Sequence, residues 1–371
     1  MKRKNKVVKK LVAGIGSAMK KYKVEVINAE AEIKKKEAEN IIISAGGNEY
    51  ACKNLMIATG SEPIVPPIKG LERKDIYTNK EILDIKEMPE ELTIIGAGYI
   101  GVEFASFFGS MGANVTVIEM LDEILPGIDR EMSSMLRKEL EKKGIEFRLG
   151  SKVIEKKSNS LTIEKDGNTE VIKTKHVLVS AGRKPVVNGY GLDNIGVEYD
   201  GKGIKVDKYC QTNIPNVYAV GDVNGRSLLA HTASREGEVV VDNISGKKTV
   251  MRYNAIPGVV YTNPEIATVG LTEQEAKKQN ISYDVSTLPM TYAGRFMAEN
   301  EGFNGMAKVI SGKKYGEILG VHMIGNPSSE FIYGAAMAIE MEMRIQDLSD
   351  VIFPHPTVSE IFKETVVAFN D

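Results

Sequence analysis

The sequence predicts an α/β protein: a strand–helix unit with a parallel sheet, followed by a second region and by an α+β region at the C-terminal end. Three observations carry that prediction. Strand and helix patterns alternate between residues 92 and 181, a Gly-x-Gly-x-x-Gly turn joins the first of those strands to its helix, and the pattern changes after residue 250. The composition agrees. The 371 residues are 42% hydrophobic and 26% charged, which sets aside collagen-like, disordered and membrane-spanning classes. A formal charge of −2 gives no overall pull toward nucleic acid or an anionic membrane. Two distant cysteines, Cys52 and Cys210, argue against a disulfide scaffold and for a reducing cytoplasm.

Residues 1–23 hold nine Lys/Arg and no acid. The short apolar run Leu11 to Met19 has the look of a signal peptide, but Gly14, Gly16 and the immediate Lys20-Lys21 argue against one. Val7, Val8, Leu11, Ile15, Ala18, Met19 and Tyr22 recur at helical spacing, so the segment is expected to be an amphipathic helix with a lysine-rich solvent face. No apolar stretch is long enough to predict a membrane span. Four short strands are expected next, VEVI, AEAEI, NIIIS and LMIAT. SEPIVPPIKG (61–70), with three prolines, marks a domain boundary.

Beyond it LTIIG, NVTVIE, IEFRL and HVLVSAG read as strands, with helices over 100–110 and 130–143 and a hairpin turn at Asp166-Gly167. Such alternation argues for a parallel sheet with crossovers. NVYAVGD and a long helical pattern from Leu228 follow. The C-terminal region has a hairpin of AKVISGKK and EILGVHMI, a helix over 328–342 and the tail HPTVSEIFKE.

Gly96, Gly98 and Gly101 follow an apolar strand and open a helix. The first permits the tight turn, the second lets backbone approach a pyrophosphate, and the third allows close helix–strand packing. The helix N-terminus offers free N–H groups to phosphate. NVTVIE ends in Glu119, twenty-one residues past Gly98, where a carboxylate accepts both ribose hydroxyls and repels a 2′-phosphate. This is a site for NAD rather than NADP. Glu103, placed in the first helical turn, is either a dipole-stabilising acid or a group reaching the nucleotide.

IATGS (57–61) and NVYAVGDV (216–223) each end an apolar strand in a small-residue loop, and Asp222 alone fits a helix N-cap. Together, flanking the NAD unit, they resemble the flavoprotein disulfide reductases. That resemblance implies that Thr59-Gly60-Ser61 bridges two nucleotide domains and that Gly221 and Asp222 meet the flavin ribityl chain of FAD. It also implies that Leu228, Leu229, Ala230 and His231 lie along the isoalloxazine and that Ala31 passes near the adenine. In His355-Pro356-Thr357-Val358-Ser359-Glu360, Thr357 and Glu360 fit a capping box, and His355 fits a turn histidine. The same stretch is similar to the His-Pro-Thr-x-x-Glu tail of the dihydrolipoamide dehydrogenase family, where the histidine handles a substrate thiol proton and the glutamate orients it.

The resemblance to that family runs through ATGSEP, IIGAGYIGVE, VTVIEMLDEILPG, SAGRKP, VYAVGD, LLAH, VVYTNPEIATVG and HPTVSE in order, covering essentially the whole chain. It implies an FAD-binding remnant over 1–75, a Rossmann-like NAD domain over 76–183, the rest of the FAD domain over 184–250 and a dimerisation domain over 251–371. It adds Tyr99, Ile100, Val153 and Gly182 to the NAD set. It implies a homodimer, because the tail completes the active site of the partner subunit, and a lipoyl-bearing protein of a 2-oxo acid dehydrogenase or glycine cleavage complex as substrate. No metal is expected. The family's own first Gly-x-Gly-x-x-Gly unit and Cys-x4-Cys redox disulfide are not found among these residues; Cys52 and Cys210 read as buried or bystander thiols. Three expectations follow: a fragment of such an enzyme, one half of a split enzyme, or a non-catalytic NAD-binding and dimerisation module. The lysine-rich start favours the first.

Overall fold

The computed structural model describes residues 1–370. They form two compact units, each assembled from separated stretches of chain. One comprises Met1–Pro63, Leu83–Glu87 and Arg183–Met251; the other comprises Ile64–Ile82, Met88–Gly182 and the chain from Arg252 onward. The first cut falls inside the proline-rich SEPIVPPIKG.

In the first unit, helix Lys2–Lys21 forms as its spacing predicts, but none of its residues is buried and Leu11 and Ile15 are each 63% exposed. Its apolar face is therefore open, which corrects the expectation of a single solvent face. VEVI is not a strand. Val24, Val26 and Ile27 lie exposed in irregular chain, because no partner strand offers backbone hydrogen bonds there. Three antiparallel strands follow, Ala31–Glu37, Asn40–Ala45 and Asn48–Cys52. Leu55–Ile57 pairs in parallel with Val217–Ala219, and Ser61–Pro63 pairs antiparallel with Arg183–Pro185. Ile33, Ile41, Ile57, Val217, Ala219 and Val223 form the centre of this unit's core.

In the second unit a four-stranded parallel sheet runs in the order Val177–Val179, Glu91–Ile95, Asn114–Ile118, Glu146–Arg148. Leu92, Thr93, Ile94 and Ile95 are all buried, as a strand covered on both faces requires. Helix Tyr99–Ser110 buries Gly101, Val102, Ala105 and Phe108. At the Asp166-Gly167 hairpin both residues have positive φ (51° and 79°), the geometry an Asp-Gly pair favours. A five-stranded antiparallel sheet follows, in the order Gly258–Val260, Ile266–Gly270, Ile318–Ile324, Met306–Gly312, Tyr283–Pro289. Its core includes Met290, Phe296, Val309, Val321, Ile332 of helix Ser328–Glu340, and Phe362 of the final helix, Glu360–Val367.

Candidate functional site

Three groups of residues carry chemistry. The first is the glycine turn of the parallel sheet. Gly96 has φ +103°, and a Cβ there would lie 2.6 Å from the Ser180 carbonyl oxygen. A Cβ at Gly101 would lie 2.0 Å from the Gly96 oxygen, so helix and strand touch through backbone alone. Gly98 is different: it caps the helix in extended backbone without a side-chain cap, and a Cβ there would point into open space. Among the described residues the first-turn amides of Tyr99, Ile100 and Gly101 have no acceptor in the chain, and the turn forms a cradle suited to a pyrophosphate.

Glu119 closes the turn. Its Oε2 accepts from the Ala97 amide at 2.7 Å and its Oε1 from the Leu121 amide at 2.9 Å. Each oxygen keeps a lone pair for a ribose hydroxyl. The donor set therefore fits NAD. Val153 packs its side chain in the core with Ile95 and Leu161, so only its backbone is left to meet a ligand. Gly182 has φ +111°, and its carbonyl accepts from the Ile64 amide at 3.0 Å.

Glu103 is not in the first helical turn. The helix starts at Tyr99, and Glu103 sits in the second turn with Oε1 accepting from the Tyr261 amide at 2.9 Å. Burial pushes its carboxyl above the ordinary carboxylate range, against the opposing pull of the Tyr261 amide. Burial, and then the neighbouring Glu103 charge, push the Tyr99 phenol up to about 12.

The second group gathers in the other unit. Asp222 follows strand Val217–Ala219 in a single 3₁₀ turn, Gly221–Asn224, whose N-cap is Val220; it is not itself an N-cap. Ser61 donates through Oγ to Asp222 Oδ2, and no described residue bonds Oδ1. Arg183, absent from the sequence-derived set, donates from Nε to Ser61 Oγ and from a terminal nitrogen to the Ser61 carbonyl, both at 2.7 Å, and stands 3.8 Å from Asp222. From below, the fully buried Glu236 accepts from the Gly221 amide at 2.6 Å and from Asn224 at 3.0 Å. Arg183 was within reach of the sequence through SAGRKP. Glu236 left no signal, because an acid inside a helical pattern reads as a solvated face.

Thr59 donates to the Val186 carbonyl at 2.9 Å, and Gly60 (φ +72°) has open space where a Cβ would stand. Leu228 (50% exposed), Ala230 and His231 lie exposed at the start of helix Ala230–Ile244, whose N-cap Leu229 makes no side-chain cap bond. Ala31 begins its strand opposite Ala45, exposed. A free carboxylate oxygen beside an uncapped helix start and an open glycine suits a polyhydroxyl chain with phosphates, so these residues fit part of an FAD site.

The third group is His355 and Glu360. His355 Nδ1 is 2.8 Å from Glu360 Oε1, and Glu360 Oε2 accepts from the Thr357 amide at 2.8 Å. One carboxylate thus serves both roles read from sequence. The capping box is only half formed, because Thr357 Oγ1 donates to the Pro354 carbonyl instead and the helix N-cap position falls on Ser359, which makes no side-chain cap bond. Glu360 lies below the ordinary carboxylate range, held there first by the Thr357 amide and then by His355. The imidazole is 80% exposed and its carboxylate 19%, so a half-buried acceptor orients a ring that faces solvent.

Neither Cys52 nor Cys210 is joined in a disulfide. Burial pushes the Cys52 thiol up, the reverse of an activated thiolate, and Cys210 is fully buried. Among the described residues no cluster of His, Cys, Asp and Glu could hold a metal ion, and no helix is long and apolar enough to cross a membrane.

Residues 1–237 match the family model for pyridine nucleotide-disulphide oxidoreductases, and residues 256–366 match the dimerisation domain of the same family. The chain is 37% identical to the mitochondrial dihydrolipoyl dehydrogenase of Pisum sativum, over 100% of this chain and 75% of that protein. It is 38% identical to dihydrolipoyl dehydrogenase of Thermus scotoductus, over 98% of this chain and 79% of that one. Among solved structures, LpdA of Mycobacterium tuberculosis superposes with a TM-score of 0.90 at 22% identity, over 98% of this chain and 81% of that one, a likeness of fold.

Proposed function

The chain belongs to the pyridine nucleotide-disulphide oxidoreductase family, and on that premise we propose that it works as part of a dihydrolipoyl dehydrogenase that oxidises protein-bound dihydrolipoamide with NAD+. The observation that carries this reading is the 2.8 Å contact of His355 Nδ1 with the Glu360 carboxylate. It leaves Nε2 as the proton acceptor toward a thiol. Glu360 fixes the ring and stabilises the imidazolium formed when a dihydrolipoamide thiol gives up its proton. The turn from Gly96 to Gly101 holds the NAD pyrophosphate, and Glu119 takes the ribose hydroxyls and excludes a 2′-phosphate. Ser61, Asp222 and the helix start at Leu228–His231 would hold FAD, which when bound would supply the two-electron relay between thiols and NAD+. Neither Cys52 nor Cys210 is assigned any part of the disulfide exchange.

The dimerisation-domain match supports a homodimer, in which we place the His355 tail at the active site of the partner subunit. Two cysteines that form no disulfide suit a reducing cytoplasm. The substrate is the lipoyl arm of a 2-oxo acid dehydrogenase or glycine cleavage complex. The test is NAD+ reduction by dihydrolipoamide in the assembled holoenzyme. His355→Gln is expected to lower kcat by roughly 10²–10⁴ while leaving the NADH Kd unchanged. Turnover within a few-fold of the native protein would sink the assignment.

A further inference from the structure

The second unit buries a group of charges that the proposed reaction does not use. Lys308, on strand Met306–Gly312, is 1% exposed, and its ammonium lies 3.0 Å from each oxygen of Asp129, which is 0% exposed. Glu273 Oε1 is 2.9 Å from the same nitrogen, and Glu131 also pairs with it. His322 lies opposite Lys308 on the neighbouring strand, between Thr268 and the Leu271 carbonyl (2.9 Å), and burial pushes its pKa down. Taking a lysine and an aspartate wholly out of water is costly, and apolar residues of the same volume often do as well. Such a cluster earns its place by fixing register.

What it fixes is visible along the chain from Asp129. That residue caps helix Arg130–Lys142, accepting from the Glu131 amide at 3.1 Å, and it ends the loop that begins at Glu119. Midway, the Leu125 amide donates to the Ala97 carbonyl at 2.8 Å, while the Ala97 amide donates to Glu119 Oε2 at 2.7 Å. Ala97, the middle residue of the glycine turn, is therefore gripped on both sides by this loop. Leu125 does so at φ +53°, a left-handed conformation that a bulky residue adopts only when its surroundings impose it, and it is 1% exposed. Ile128 then donates to the Leu125 carbonyl at 3.1 Å, directly before Asp129.

We infer that Lys308 is a positioning residue for the nucleotide turn: through Asp129 it holds the strained 119–129 loop that clamps Ala97, so the C-terminal sheet sets the affinity of a site to which it contributes no ligand. The inference rests on the NAD reading of that turn. Lys308 acts at a distance and does not touch the nucleotide.

The test uses the full chain with NADH as probe. Lys308→Met alone strands Asp129 without its cation, so the working variant is Lys308→Met/Asp129→Asn, which keeps a good N-cap. It is expected to melt near the native temperature, to raise the NADH Kd about tenfold, and to speed hydrogen exchange at the Leu125 amide. A folded double variant with an NADH Kd within twofold of native overturns the inference. Should it fail to fold, Glu273→Gln removes the partly exposed third partner; an about threefold rise in Kd supports the inference and an unchanged Kd overturns it. Glu119→Arg separates the two claims. If native NADH binding ignores that substitution, the nucleotide reading fails and the inference with it. If Glu119→Arg weakens binding and the Lys308 variants do not, the inference alone fails.

Discussion

At Gly96–Ala97–Gly98 the carboxylate that closes the turn has both oxygens on backbone amides, those of Ala97 and Leu121. At Gly221–Asp222 the corresponding carboxylate has one oxygen on the Ser61 hydroxyl and the other on no described residue. The first turn ends a strand of a four-stranded parallel sheet; the second ends a strand of a two-stranded one. A carboxylate pinned by backbone is oriented before any ligand arrives. One held through Arg183 and Ser61 depends on side chains that are each free to move. The NAD turn should therefore fail through its backbone, and the flavin turn through its side chains.

The largest effect is expected at Asp222. Asp222→Asn removes a charged acceptor while keeping its shape, and flavin affinity of the holoenzyme, followed by flavin fluorescence, should fall roughly 10–100-fold, the worth of a hydrogen bond to a charged group. Equal retention by the variant would erase the contrast. Next comes Gly101→Ala. Its methyl would meet the Gly96 oxygen, so helix and strand must part, at about 1–3 kcal/mol, read as a loss of several degrees in Tm and weaker NADH binding. An unshifted Tm would mean that the turn is softer than its packing indicates.

The smallest effect concerns Glu103. Because burial raises its carboxyl pKa, the folded state binds that proton more readily than the unfolded chain. Its contribution is therefore most favourable below the ordinary carboxylate value of about 4.3 and is lost as pH rises through the raised value. Glu103→Gln, which can still accept from Tyr261, should raise Tm by on the order of 1–2 °C at pH 7, with the gain vanishing near pH 4. A gain that persists in acid would assign the effect to something other than ionisation.

The same contrast explains what was legible in the sequence. The glycine turn was legible because Gly96 and Gly101 answer to local backbone demands and Glu119 sits at the end of a strand of fixed length. Glu103 was read into the first turn because the expected helix start, residue 100, lay one residue after the observed start at Tyr99. The residues assigned to flavin came from a resemblance, and Arg183, which bonds Ser61 among them, depends on pairing between strands about 120 residues apart. VEVI alternates like a strand, yet pattern alone cannot supply a neighbour to pair with. Thr357 and Glu360 have capping-box spacing, but the Pro354 carbonyl took the threonine hydroxyl. Lys308 reads as an exposed charge in a strand. Only the cross-strand register and the Asp129 cap show it buried.

The most direct test of the account is a titration of the full chain with NADH, in the absence and presence of FAD, on the native protein and on Glu119→Arg. The account predicts that NADH binds without flavin, that FAD changes its Kd by less than a few-fold, and that Glu119→Arg weakens NADH binding and relaxes the preference toward NADPH. NADH binding that appears only after flavin is bound, or that ignores Glu119, would contradict it.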